Sequence, residues 1–429
     1  MRLHFDRVHE TVHTRTLANG LRISYLEKPG FSKCFAMLAT DFGSCDACFT
    51  AEGRRWQLPA GIAHFLEHKM FEDEDGNALQ KFGATGASPN AFTSRTMTAY
   101  HFSCTERFWG NLEILLKFVF TPYFTEENVA KERGIIAQEI GMLDDTPGWR
   151  VYGGLYEGLY REHPVRISIA GSCESIAEIT PELLYACHRT FYSPSNMALA
   201  ICGAVDFDRL CEVAERLTPP ASPEPPQRDY GIRSAAVYQR EVVHRMQVSQ
   251  PQALLGFRDT PLAEGESWLR RLLLGDLCRR LLSGPASPLY ARLFEQRLIT
   301  QGYSSEYSIF PEAAAAIFGG ETRDPHALRA ALEDEVRRCA EGVSEESFVR
   351  TLRALHGNCL RVCDDPATYV RRELSALFRG EHYAAFAEYL DGFTQEEASA
   401  CFARWTESSQ SLVLPLSADE SSSTKGNAQ

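Results

Sequence analysis

The sequence predicts an α+β protein made of two α+β units of similar layout, each a sheet packed with helices. Three observations carry this expectation. The length of 429 residues exceeds the size at which a single hydrophobic core stops growing, so two or more domains are expected. The segment Leu217 to Gly231, LTPPASPEPPQRDYG, holds five prolines, which forbid a regular helix or central strand because proline lacks the amide hydrogen and fixes φ. Strand-like and helix-like segments run in the same coarse order on both sides of that break. The expected organisation is a first unit over 1–216, a linker over 217–231, a second unit over 232–416 and a polar, disordered tail over 417–429.

In the first half, strand patterns surround Leu21 to Tyr25 and Cys34 to Thr40. A helix runs through His64, a second short helix follows, and Asn90 to Ser103 is β-rich. Long helical patterns begin near Thr105 and Thr125, and Thr180-Pro181 is an N-cap and first-turn pair for another helix. The second half repeats the theme. A strand lies near Ala253 to Phe257, helices pass through Leu272 and Tyr290, strands lie near Tyr303 and Ile317, and helices continue to Arg404. Thr394 with Glu397 forms a capping box at the start of the last one.

Composition narrows the function. Hydrophobic residues at 44% and charged residues at 24% match ordinary globular proteins, and no apolar run reaches the roughly 18 residues of a membrane span. The start, MRLHFDRVHETVH, has no apolar signal core, so the expected compartment is the cytoplasm and no membrane partner is expected. The 13 cysteines are odd in number and scattered, which favours reduced thiols over a disulfide framework. A net charge of -13 disfavours nucleic acid, whose phosphates need concentrated Lys and Arg, and suits a cationic peptide guest better.

The segment Ala60 to Phe71, AGIAHFLEHKMF, carries the chemistry. On a helix His64 and His68 stand four residues apart on one face and can grip one ion, and Glu67 shares that face. The order His-x-x-Glu-His is that of the inverzincin motif. The bland reading is an amphipathic helix with solvated polar groups. Against it, the neighbours Ile62, Phe65, Leu66, Met70 and Phe71 make a helix on which three ionisable groups are costly unless paired or coordinated. Catalytic zinc takes three protein ligands and leaves a position open for water, so a third ligand is expected from elsewhere. The segment Lys131 to Met142, KERGIIAQEIGM, offers Glu132 and Glu139, seven residues and therefore about 20° apart around a helix, although as a pair they also read as surface charges.

These segments together resemble the pitrilysin and insulysin family of zinc peptidases, which includes the processing peptidases. The resemblance is strong over 15–205 and weaker beyond. It rests on Leu17-Ala18-Asn19-Gly20-Leu21, on AGIAHFLEHKMF, on ASPNAFTSRTMTAYHF from Ala87 to Phe102, on ERGIIAQEI from Glu132 to Ile140, and on FYSPSNMALAICGAVD from Phe191 to Asp206. It implies zinc (Zn2+) held by His64, His68 and Glu139, with Glu67 as general base. Glu132 joins the catalytic set as a supporting carboxylate. Asn90 and Ala91 are implied to hold an extended substrate by strand addition. The two units would form half of a clamshell chamber that admits unfolded peptides.

The chain also departs from the pattern. Active single-chain members carry an Arg and a Tyr seven residues apart in the second half, which hold the substrate carbonyl. Here Tyr303 stands at the tyrosine position, but the arginine position holds Gln296 or, in the other register, Phe294. Half-length bacterial members work in pairs, so a homologous partner subunit that lacks the zinc motif and supplies Arg and Tyr is expected in a heterodimer. The alternative is a non-cleaving peptide-binding or assembly subunit of the same fold.

Other motifs read blandly. Cys45-Asp46-Ala47-Cys48 is expected within a strand, with no second C-x-x-C to complete a thiolate zinc site. Gly83 to Gly86, GATG, is a turn. His101, His163 and His188 are expected to be packed or surface residues, and Arg161, Arg166 and Arg371-Arg372 solvated.

Overall fold

The computed structural model describes residues 1–74, 76–220, 225–231 and 236–416. The expected tail over 417–429 and parts of the linker lie outside the described residues.

Two mixed sheets organise the chain. The first has seven strands in the order Arg2–Phe5, Glu10–Thr16, Arg22–Glu27, Met197–Gly203, Cys34–Thr40, Thr98–Cys104 and Ser88–Thr93. The second has five, in the order Glu241–Met246, Ser408–Pro415, Gln252–Asp259, Ala313–Glu321 and Ser304–Phe310. The same topology recurs in both. A late strand, Met197–Gly203 or Ser408–Pro415, returns to the sheet interior, parallel to one neighbour and antiparallel to the other. The fold is therefore α+β with an internal repeat of arrangement, as the order of elements predicted.

The central strands Cys34–Thr40 and Met197–Gly203 are buried along their whole length, which is why CFAMLAT and MALAICG show no alternation of apolar and polar residues. Successive side chains point to opposite faces. Cys34, Ala36 and Leu38 join the core beneath the first sheet, whereas Phe35, Met37 and Ala39 join the core continuous with the second half. Each half also covers the other's sheet with a helix. Pro366–Leu377 packs on the first sheet, and Pro147–Leu159 packs on the second. Arg22 Nη1 donates to Leu377 O at 2.8 Å and Ser24 Oγ to the buried Glu373 at 2.7 Å, so the contact is polar as well as apolar.

Within the linker, Gln227–Arg228 pairs with Cys48–Ala51 at the edge of a small sheet, a place compatible with neighbouring prolines. Arg228 lies between Asp41 at 3.1 Å and Asp46 at 2.9 Å. One expectation is corrected nearby: Cys45 to Ala47 form a turn and loop, and the strand starts only at Cys48. The Asp46 carboxylate accepts the Gly43 N–H at 2.8 Å, a local bond that competes with strand pairing. The helix Pro147–Leu159 and the strands Arg2–Phe5, Glu10–Thr16 and Ser408–Pro415 were not anticipated. No helix among the described residues is long and apolar enough to cross a membrane.

Candidate metal centre

The helix Ile62–Lys69 buries Ile62, Ala63, Phe65, Leu66 and Lys69, leaving His64, Glu67 and His68 on its other face. Its first turn is set by Gly61, whose φ of 90° falls in the left-handed region that favours glycine. A Cβ there would stand 2.5 Å from Ala170 O, so the helix start is pressed against the loop that follows Pro164–Arg166. The helix Glu126–Asp144 crosses it, started by a capping box of Thr125 and Asn128.

The seven-residue spacing of Glu132 and Glu139 places a carboxylate at each nitrogen of His68. Glu132 Oε1 is 3.0 Å from Nδ1, and Glu139 Oε2 is 3.5 Å from Nε2. Glu139 Oε1 is also 3.6 Å from His64 Nε2, and the ligand atoms of His64, His68 and Glu139 all lie within 4.8 Å of one another. A tetrahedral ion with ligands at about 2.0–2.1 Å sets neighbouring ligand atoms about 3.4 Å apart. Two imidazoles and a carboxylate at these separations fit zinc. Because a carboxylate can only accept, Glu132 fixes the proton of a neutral His68 on Nδ1 and frees Nε2 to ligate.

Glu132 itself does not line the adjoining cavity. Its side chain, 7% exposed, stands behind His68 and 3.7 Å from the ammonium of Lys69, which is fully buried and also paired with Glu72. Glu132 thus stands where it can orient His68 and outside the cavity lining. Burial opposes its ionisation, but the His68 hydrogen bond and the Lys69 charge outweigh it and hold its pKa below the usual value. Burial and the His68 charge push His64 down to about 4, the neutral form a ligand needs. Burial would lower His68 too, yet Glu132, Glu139 and Glu67 raise it. Burial raises Glu67, against a hydrogen bond from Thr93 Oγ1 to Glu67 Oε2 at 2.6 Å.

His64, Glu67 and Glu139 share a cavity of about 360 Å³ with Ala91, Phe92 and Thr93. Ser88–Thr93 is the outermost strand of its sheet and pairs on one side only, with Asn90 opposite His101 and Ala91 opposite Tyr100. The outer N–H of Ala91 is held by Asn90 Oδ1 at 2.8 Å. Thr93 lies two residues from Ala91, and so on the same strand face, but nothing in the sequence marks it as the partner of Glu67. Lys69 escaped the sequence reading because nothing local marks a lysine as buried.

Tyr303 is not brought to this cluster. Its hydroxyl donates to Ser283 Oγ at 2.7 Å and its ring meets Tyr290 edge-on in the second half. His163 and His188 are buried, with ring nitrogens on Pro311 O and Val119 O, and His101 packs against Phe35. Arg371, expected to be solvated, is exposed yet lies over the Phe92 ring at 4.3 Å. A larger hollow of about 830 Å³, lined by Tyr160, Arg258 and Arg404, holds none of the cluster residues.

Fold and site together define the class, a two-sheet chain whose inverted His-x-x-Glu-His motif meets a glutamate from a second helix. The chain belongs to the insulinase family, peptidase family M16. Residues 57–172 match the family described as insulinase (peptidase family M16), and 178–355 match the one described as the M16 inactive domain. All five residues of the cluster, including Glu67 and Glu132, fall within the first match. A relative described as the uncharacterized zinc protease YmfH of Bacillus subtilis is 39% identical over 370 residues, covering 85% of this chain and 86% of that protein. A zinc protease of Rickettsia felis is 26% identical, covering 89% of each. Among solved structures, an M16-like peptidase from Alicyclobacillus acidocaldarius is 35% identical with a TM-score of 0.90, covering 95% of this chain and 99% of that one. A Helicobacter pylori protease at 17% identity and a TM-score of 0.80, covering 94% and 99%, shares the fold.

Proposed function

We propose that this chain is a zinc-dependent endopeptidase that cleaves extended, unfolded peptides. The observation that carries the reading is the convergence of His64, His68 and Glu139 at zinc-ligand separations, with Glu67 beside them in a cavity bordered by an unpaired strand edge. Zinc held there would acidify a water molecule and polarise the scissile carbonyl. Glu67 takes the proton of the attacking water and returns it to the leaving amine. Thr93 holds the Glu67 carboxylate in place, and Glu132 with Lys69 holds the His68 ring. The peptide adds as a strand along Ser88–Thr93, and a substrate carbonyl replaces Asn90 Oδ1 on the Ala91 N–H.

The test is zinc content and peptide turnover of the wild type and of Glu67→Gln. The variant is expected to keep the metal and to lose turnover by about 10² to 10⁴. Unchanged turnover would place the base elsewhere, and a wild type without stoichiometric zinc would remove the centre.

The reading extends to a partner. Tyr303 is engaged with Ser283, and Gln296 or Phe294 stands where an arginine would serve, so a homologous subunit supplies Arg and Tyr and closes the chamber. The exposed apolar side chains of Ile135 at 44%, Met142 at 64% and Trp149 at 50% near the site support such a covering surface. Turnover of the chain alone, and after titration with such a homologue, separates this from a self-sufficient enzyme. A non-cleaving peptide-binding subunit is the second reading, favoured by the same engagement of Tyr303. Zinc binding without cleavage under any pairing would establish it.

A further inference from the structure

The cavity beside the metal centre has three arginines in its wall, and two of them are spent. Arg95 donates from Nε to Val165 O at 2.9 Å and lies over the Tyr156 ring at 4.2 Å. Arg150 donates to Asp144 at 3.0 Å and approaches His244 Nδ1 at 3.5 Å. Arg166 differs. Its guanidinium makes no hydrogen bond or ion pair among the described residues, and its Nε is buried without an acceptor.

Leaving a buried guanidinium donor unpaired is costly, and the free carboxylates that could relieve it are committed. Glu67 is bonded to Thr93, Glu139 faces the two histidines, and Asp144 holds Arg150. Glu157 also borders the cavity, but it is exposed. The backbone that carries Arg166 is anchored. Pro164–Arg166 is a single 3-10 turn capped by His163 Nδ1, which accepts the Val165 N–H at 3.1 Å. Arg95 grips the preceding carbonyl, and Gly61 abuts Ala170 just beyond. A planar donor fork on a fixed turn, without a protein acceptor, matches a carboxylate bidentately. The overall charge of -13 gives no general attraction for acidic peptides, so any such preference is local to this cavity.

We propose that Arg166 is the specificity determinant of the site and receives a carboxylate of the bound peptide. That carboxylate is either an acidic side chain close to the scissile bond or the free C-terminus of a short substrate. The inference rests on the peptidase reading, but it is tested by binding as well as by cleavage.

The experiment uses the full-length, zinc-loaded Glu67→Gln protein and fluorescent peptides identical except for Glu, Gln or Lys next to the cleaved bond. Each is made with a free and an amidated C-terminus. The Glu peptide is expected to bind roughly 10- to 100-fold more tightly than the Gln peptide, the loss typical of a removed charged hydrogen bond. That ratio should fall towards one when Arg166→Gln is added, and Arg166→Glu should turn the preference towards Lys. Discrimination by the free C-terminus instead identifies the terminal carboxylate as the ligand. Equal binding of all peptides with Arg166 intact overturns the proposal, as does a Glu preference that survives Arg166→Gln. If Arg166→Gln does not fold, Arg166→Lys takes its place: it keeps the charge but loses the bidentate fork, and the Glu preference should weaken. Turnover of the wild type, alone and with a homologue that supplies Arg and Tyr, is read in parallel, so discrimination without cleavage under either condition would sink the peptidase reading while leaving this one standing.

Discussion

Replacing Glu132 by Gln tests how the metal centre is held from behind. The substitution keeps the shape but removes the charge that lies 3.0 Å from His68 Nδ1 and 3.7 Å from the Lys69 ammonium. A hydrogen bond to a charged group is worth about 1.5–3 kcal/mol, and each 1.4 kcal/mol is tenfold in affinity. Zinc affinity should therefore fall about 10- to 100-fold, the range typical of lost support to a ligating histidine. The apoprotein should also weaken, because Lys69 is fully buried. At 3.7 Å and an effective dielectric near 20, the Coulomb attraction given up is about 4 kcal/mol before solvation is counted. Glu72 remains as a partner, so the net loss should be smaller than the roughly 3–5 kcal/mol of a buried ion pair stripped of one member. The assays are zinc competition with a chromogenic chelator and urea unfolding of the metal-free protein. The double variant Lys69→Met with Glu132→Gln should regain part of the stability but not the zinc affinity. If Glu132→Gln binds zinc as the wild type does, His68 is oriented by something else and the reasoning fails.

Three further outcomes follow from the geometry. Thr93→Val removes the donor 2.6 Å from Glu67 at nearly constant volume. Zinc should be retained while turnover drops about tenfold or more, and a loss of zinc instead would mean that Thr93 supports the ligands. Gly61→Ala combines a left-handed φ with a Cβ 2.5 Å from Ala170 O. It should cost more than about 1 kcal/mol in chemical denaturation, and a neutral result would show that the helix start can shift freely. His382 lies 2.6 Å from the buried Glu373, whose hydrogen bond and charge raise the imidazole pKa despite burial. Above the unfolded value of about 6.5 the folded state then holds more protons, so stability should fall as pH rises through the folded pKa. His382→Asn should lower stability at acidic pH and flatten that slope, and an unaltered pH profile would exclude this pair as its source.

Much of this protein was legible because its signals are local. The H-x-x-E-H spacing, the seven-residue interval between Glu132 and Glu139, the boundaries of Cys34–Thr40, and the caps at Thr180 and Thr394 all depend on residues within two turns of one another. Helix and strand periodicity project such residues onto a common face whatever the rest of the chain does. The sequence alone thus determined the α+β class, the internal repeat of elements and the histidine pair with its candidate glutamates, and the family resemblance singled out Glu139 among them. Long-range packing decided the rest. The strands Met197–Gly203 and Ser408–Pro415 lie in the sheet interiors only because distant chain returns to them, and Pro147–Leu159 and Pro366–Leu377 each cover the other half's sheet. Nothing near Lys69 marks it as buried, nothing near Thr93 says it will meet Glu67, and nothing near Arg166 says its neighbours will leave it unpaired. Those properties belong to pairs of groups 26 or more residues apart, such as Thr93 with Glu67 and His68 with Glu132. Their energies come from desolvation and contact in the closed fold, which no local pattern encodes.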